Sequence, residues 1–87
     1  MKYSVKIIRH FYNEGAERTR KQVDESFFKH IDDALTYYNS AIIGERISSE
    51  LHSHSGSTNY YLNLIARNNG DCITLESVFI HNGEVMQ

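Results

Sequence analysis

The residues of this chain best suited to chemistry are its five histidines, one cysteine and a run of hydroxyl side chains. His52-Ser53-His54 has the spacing of a metal-ligand pair, because residues two apart in an extended segment point the same way and both imidazoles could grip one ion. A zinc site needs more ligands, and His30, His81 or Glu50 would have to converge on the pair. Without a clear third ligand the expectation is a solvated loop, with no metal and no cofactor. Serines 48, 49, 53, 55 and 57 cluster near these histidines, yet no strand–turn–helix elbow surrounds any of them. Asp32 and Asp33 are adjacent on a predicted helix, so they diverge by about 100° and cannot share a proton. The five glycines stand isolated at 15, 44, 56, 70 and 83, so there is no phosphate cradle. Cys72 is alone, which excludes an internal disulfide and a cysteine zinc cluster and points to a small half-buried strand residue. Together these exclusions predict a protein that is not an enzyme.

Composition narrows the class. The 87 residues predict one domain, 1–87, and 40% hydrophobic with 23% charged residues is ordinary for a folded chain. A net charge of −2 is too small for a nucleic-acid-coating protein or a polyanionic mimic. No apolar run approaches the ~18 residues of a membrane span, and the alternating N-terminus does not read as a signal peptide. The expected location is cytoplasmic, with no membrane partner.

The elements that must position any site follow from periodicity. Tyr3, Val5, Ile7 and Phe11 share one side of a period-two strand on which Arg9 is the exception; Ile8, His10 and Tyr12 lie on the other. Asn13-Glu14-Gly15-Ala16 supplies turn chemistry. Residues 17–28 read either as a polar second strand or as a helix starting after Asp24. Ile31, Ala34, Leu35, Tyr38, Ala41 and Ile42 form one apolar stripe of a helix, with Asp32 and Asp33 at its positive end, His30 or Ser26 as its cap and Gly44 placed to end it. Ile47 and Leu51 allow a second short helix or a continuation. Two β-rich runs, 59–67 and 71–81, flank Asn69-Gly70, the preferred type I′ hairpin pair. Facing positions then sum to 139, so Leu64 meets Leu75, Ala66 meets Ile73, Tyr60 meets Phe79 and Leu62 meets Ser77 on a core face. The predicted fold is α+β: a small, mostly antiparallel sheet (β-β-α-β-β) with one main helix packed on one face.

The face of the sheet away from the helix is the candidate partner-binding surface. In this register it carries Ile8, Tyr12, Tyr61, Ile65, Val78 and Ile80, more apolar groups than a monomer usually leaves in one patch. Three coverings are open: the segment 44–57, a second copy in a homodimer, or a different protein. Nucleic acid is the alternative partner. Residues 1–30 hold seven basic and four acidic groups, and residues 31–87 hold two and seven. Arg18, Arg20 and Lys21 form the alternative basic surface.

The stretch Phe28-Lys29-His30-Ile31-Asp32-Asp33-Ala34-Leu35-Thr36-Tyr37-Tyr38-Asn39 resembles a pattern in short proteins of phages and mobile elements, in which a polar strand leads into a helix. In size and lack of motif the chain is similar to anti-CRISPR proteins. The resemblance implies a small non-enzymatic inhibitor that blocks a host effector, such as a CRISPR effector or another defence component, by stoichiometric binding. It carries over no functional residues.

Overall fold

Period-two alternation builds most of the chain into one antiparallel sheet. The computed structural model describes residues 1–13 and 19–86. Strands β1 (Lys2–Asn13) and β2 (Thr19–Phe28) precede a single long helix, α1 (Ile31–His52). A 3-10 turn (Ser53–Ser55) leads into β3 (Gly56–Asn68), β4 (Asp71–His81) and β5 (Glu84–Met86). The strand order is β2-β1-β3-β4-β5, with every neighbouring pair antiparallel. This is the expected α+β arrangement with one strand more. The alternation from Thr19 to Phe27 is a strand, and the helix starts only at Ile31. The proposed turn at Glu14–Ala16 lies outside the described residues.

The core forms between the inward faces of the three middle strands and one stripe of α1. Val5, Ile7 and Phe11 of β1, Tyr60, Leu62 and Leu64 of β3, and Ile80 of β4 pack with Ala34 and Tyr38. Ala41 and Ile42 extend the helix contact. Small side chains at Ala34 and Ala41 let the helix axis approach the sheet, and Tyr38 fills the space between them. Leu35 and Ile31, expected in this stripe, are exposed. The stripe follows Ala34, Tyr38 and Ser49, turned by part of a helix step from the apolar residues that sequence reading favours.

Gly44 does not end the helix. The helix runs through it for two further turns, to His52. The segment 44–52 therefore lies on the core side of the sheet and does not cover the outer face. Neither proposed cap bonds with its side chain: His30 occupies the N-cap without such a bond, and Ser26 sits in β2.

One residue decides which side chains face outward along β4. Asn69 (φ 49°) and Gly70 (φ 90°) form the expected tight turn. From Asn68↔Asp71 to Ile65↔Thr74 the register is the expected one. Leu75 is then an extra residue, and the next pair is Leu64↔Glu76. A β-bulge of this kind shifts everything beyond it by one position, and one position exchanges the two faces of a strand. Ile80 consequently enters the core, Val78 packs against it, and Phe79 turns outward. Val78 and Ile80 were expected on the outer face; the bulge places them on the helix side.

A second tight turn, Asn82 (φ 49°) and Gly83 (φ 87°), joins β4 to the short β5. It is fastened to the end of α1 by buried polar groups. The Ser49 hydroxyl lies 2.7 Å from the Thr58 hydroxyl, which in turn donates to the Ser49 carbonyl at 3.0 Å. The Gly83 N–H donates to Ser49 Oγ at 2.9 Å, and the Thr58 N–H donates to Asn82 Oδ1 at 2.8 Å.

Candidate functional site

The residues first considered for chemistry are engaged in closing the end of the helix. The Nδ1–H of His52 donates to the Ser48 carbonyl at 2.8 Å, and its ring stands edge-on to Phe11 with centroids 5.2 Å apart. Ser53 Oγ donates to the Glu50 carbonyl at 2.6 Å, and Ser55 Oγ to the His52 carbonyl at 3.3 Å. His52 ends a helix and His54 sits in a 3-10 turn, so the extended geometry that would aim both imidazoles at one ion is not formed. Among the described residues no group of three or more His, Cys, Asp or Glu side chains converges as a metal site. Asp32 and Asp33 are exposed in the first turn of α1, and Cys72 is exposed rather than half-buried. Among the described residues no helix is long and apolar enough to cross a membrane.

Arg9, the exception in the β1 pattern, lies under the helix in a groove of about 450 Å³ between β2 and α1. Its Nε donates to Glu45 at 2.9 Å, a second nitrogen bonds the other Glu45 oxygen, and a third reaches Asp24. The Glu45 bonds raise the Arg9 pKa against the opposing effect of burial, and Asp24 adds to them. One inward arginine thus ties three elements together. Its nitrogens are committed to these carboxylates, which marks the cluster as structural.

The outer face of the sheet divides into a closed end and an open end. At the closed end the Arg67 guanidinium spans three strands. It donates to Ser4 at 3.1 Å on β1, contacts Cys72 on β4, and pairs with Glu25 on β2. It also lies 5.8 Å from the Phe27 ring centroid. Ile65 faces outward here as expected, yet it is only 8% exposed beside this network. Burial pushes the Glu25 carboxyl up, but hydrogen bonds from Ser4 and Arg67, with the charges of Arg67 and Lys6, outweigh it and hold the pKa below its ordinary value.

At the open end, five rings form a belt across β1, β3 and β4. Tyr12 stacks on His10 at 6.2 Å, and His10 meets Tyr61 edge-on at 5.9 Å. Tyr61 lies 4.9 Å from Phe79, which stacks on His81 at 6.4 Å. Tyr12 and Tyr61 are 37% and 38% exposed, so their polar tips reach water while the rings hold one another. Ile8, paired to Tyr61 and to Val23 of β2, extends the surface to the sheet edge. Asn59 Oδ1 accepts from His81 Nδ1 at 2.7 Å and fixes the last ring.

Of the six predicted surface residues, the structure brings Ile8, Tyr12 and Tyr61 together, covers Ile65, and removes Val78 and Ile80 to the helix side. His10, expected on this face though not among the binding residues, takes part, and Phe79 and His81 join it without having been expected. His10 carried a signal in its alternation with Ile8 and Tyr12, whereas Phe79 and His81 were hidden by the bulge. Of the alternative basic surface, the two described residues lie on opposite faces of β2. Arg20 turns inward over the Phe11 ring at 4.4 Å, Lys21 turns outward opposite His10, and Arg18 lies outside the described residues. Strand alternation separates adjacent cations onto opposite faces. No family model, no curated protein and no solved structure matches the chain at a significant level.

Proposed function

We propose that this chain is a small non-enzymatic binding protein that docks a protein target on the open end of its sheet. The ring belt from Tyr12 to His81 carries this reading. It is a continuous, pre-ordered aromatic surface, and rings with polar tips are the side chains that concentrate binding energy at protein interfaces. Its neighbours Ile8 and Val23 are aliphatic, as suits a protein surface better than a phosphate backbone. The resemblance of residues 28–39 to short phage and mobile-element proteins supports a target in a host defence system, blocked by stoichiometric binding in the host cytoplasm, as anti-CRISPR proteins act. The belt forms without any help from a second copy, so a monomer suffices to present it.

A second reading, single-stranded nucleic acid, has its own support. Lys21 lies opposite His10 at the edge of the belt, and ring platforms flanked by cations stack exposed bases. Expression of the protein in a CRISPR-bearing host challenged with a targeted phage tests the first reading. Wild type is expected to restore plaque formation. Tyr61→Ala is expected to abolish that effect with an unchanged melting temperature, a loss of about 2 kcal/mol or more of binding. No effect of wild type would remove the defence target, and full activity of Tyr61→Ala would remove the belt. Binding of a fluorescent oligothymidine that weakens steeply with salt would replace the protein target with nucleic acid.

A further inference from the structure

The helix has a second apolar face, which looks away from the sheet. Ile43, Ile47 and Leu51 are 65%, 58% and 63% exposed and stand four residues apart, so they form one continuous ridge on the back of the second half of α1. None belongs to the core cluster. The adjacent row on one flank is Ser40, Gly44 and Ser48: Ser40 and Gly44 border the Arg9 groove, and Ser48 Oγ lies 3.1 Å from the Tyr60 hydroxyl. The adjacent row on the other flank holds Arg46 and Glu50. Among the described residues neither of these carries a salt bridge, and the Arg46 side chain reaches only the Gly83 carbonyl, at 3.5 Å.

We infer that this face pairs α1 with α1 of a second copy, in an antiparallel crossing. In such a two-fold pair the two ridges meet, with Ile47 of each copy near the axis and Ile43 of one copy opposite Leu51 of the other. An antiparallel two-fold pair also brings like flanks together. It sets Arg46 of one copy beside Glu50 of the other, twice, one helical turn apart in sequence and opposite in sign. The charges are thus self-complementary in the same arrangement that sets the two apolar ridges together. Gly44 adds an argument of its own. A Cβ there would meet nothing within 4 Å inside the chain, so internal packing does not require glycine at a mid-helix position where alanine is preferred. Close approach of a second helix along this flank would favour it. This inference goes beyond the binding function proposed above and leaves the ring belt free, since the two faces lie on opposite sides of the molecule.

Sedimentation equilibrium of the purified chain tests it. A dimer with a micromolar dissociation constant is expected. Ile47→Asp should give a monomer that melts normally at low concentration, because the side chain it replaces is exposed. Glu50→Arg alone should weaken the dimer about tenfold, and the exchange Arg46→Glu with Glu50→Arg should restore it. Gly44→Ala should weaken association while raising the melting temperature of the dilute monomer, which separates an interface role from a folding one. A wild-type chain that stays monomeric at millimolar concentration would overturn the inference. So would a dimer that survives Ile47→Asp but is lost in Tyr61→Ala, which would place the contact on the sheet, or a dimer indifferent to both charge changes.

Discussion

Tyr38 carries its hydroxyl into the core with no hydrogen-bond partner among the described residues. Burial, with a smaller contribution from the Glu76 charge, raises the pKa of that phenol, which keeps it neutral and therefore a donor without an acceptor. An unpaired buried polar group costs about 1–3 kcal/mol. Tyr38→Phe keeps the ring that fills the space above the sheet and removes only the oxygen. It should stabilise the fold by about 1 kcal/mol, read as a higher urea midpoint with an unchanged slope. A lower midpoint would mean that the hydroxyl has a partner in solution. Glu25 is the opposite case, a charged group whose partners more than compensate its burial. Its folded pKa lies below the ordinary 4.5, so its stabilising contribution is complete above that value and is lost as pH falls through the lower, folded one. A melting series on the acid side of pH 4.5 should therefore fall more steeply for wild type than for Glu25→Gln. Parallel curves would show that the Arg67 network does not form.

At the scale of elements, two turns of the same type separate two effects of a side chain. Gly70 and Gly83 both hold positive φ, but a Cβ at Gly70 meets open space, whereas one at Gly83 would lie 2.7 Å from the Glu50 Cβ of α1. Gly70→Ala should cost about 1 kcal/mol from backbone strain alone. Gly83→Ala should cost about 2–3 kcal/mol, since it must also push β5 from the helix. Equal shifts in chemical denaturation would mean that the second turn does not bear on α1. The Asn69-Gly70 turn was legible because long alternating runs flank it. Asn82-Gly83 has the same composition, yet only Glu84, Val85 and Met86 follow as strand, too short for a periodicity to register. The helix was legible as an element, and Ala34, Tyr38, Ala41 and Ile42 of its expected stripe reach the core, while the exposure of Ile31 and Leu35 and the helix end were not legible. Ile31 and Leu35 attract any hydrophobicity-based assignment, but the sheet selects the smaller Ala34 and the ring of Tyr38. The Leu75 bulge was invisible for a similar reason. The unbulged register matches apolar residues well up to Leu64 and Leu75, and local pattern cannot reveal that the twisted sheet takes one residue more. Two of the six predicted surface residues, Val78 and Ile80, were misplaced through that single position.

Seen whole, the molecule measures 44 × 23 × 20 Å and keeps its charges apart. Lys2, Lys6, Lys21 and Arg67 face outward from the sheet against Glu25 and Glu84. The helix side carries Asp24, Asp32, Asp33, Glu45, Glu50 and Glu76 against Arg9, Arg20 and Arg46. The small net charge is thus the sum of a basic face and an acidic one, and a partner approaching from either side meets a different field. The five-ring belt was legible in part, since Tyr12 and Tyr61 announce it, but its continuity depends on Phe79 and His81, which only the folded sheet brings into line.

The extra residue at Leu75 has one more effect, on how molecules of this protein meet at high concentration. β5 pairs only with Phe79, Ile80 and His81, so among the described residues the stretch of β4 from Asp71 to Val78 has no neighbouring strand on its far side. That rim offers open backbone donors and acceptors next to exposed Ile73 and Leu75, the composition that lets sheets grow end to end into fibres. A bulge breaks the even spacing of those groups midway along the rim and twists it away from flatness. Asp71 and Glu76 place charge on either side of the break. The insertion that reassigns the two faces of β4 therefore also interrupts the even rim along which a further strand could add, so one irregularity shapes both the outer face and its edge.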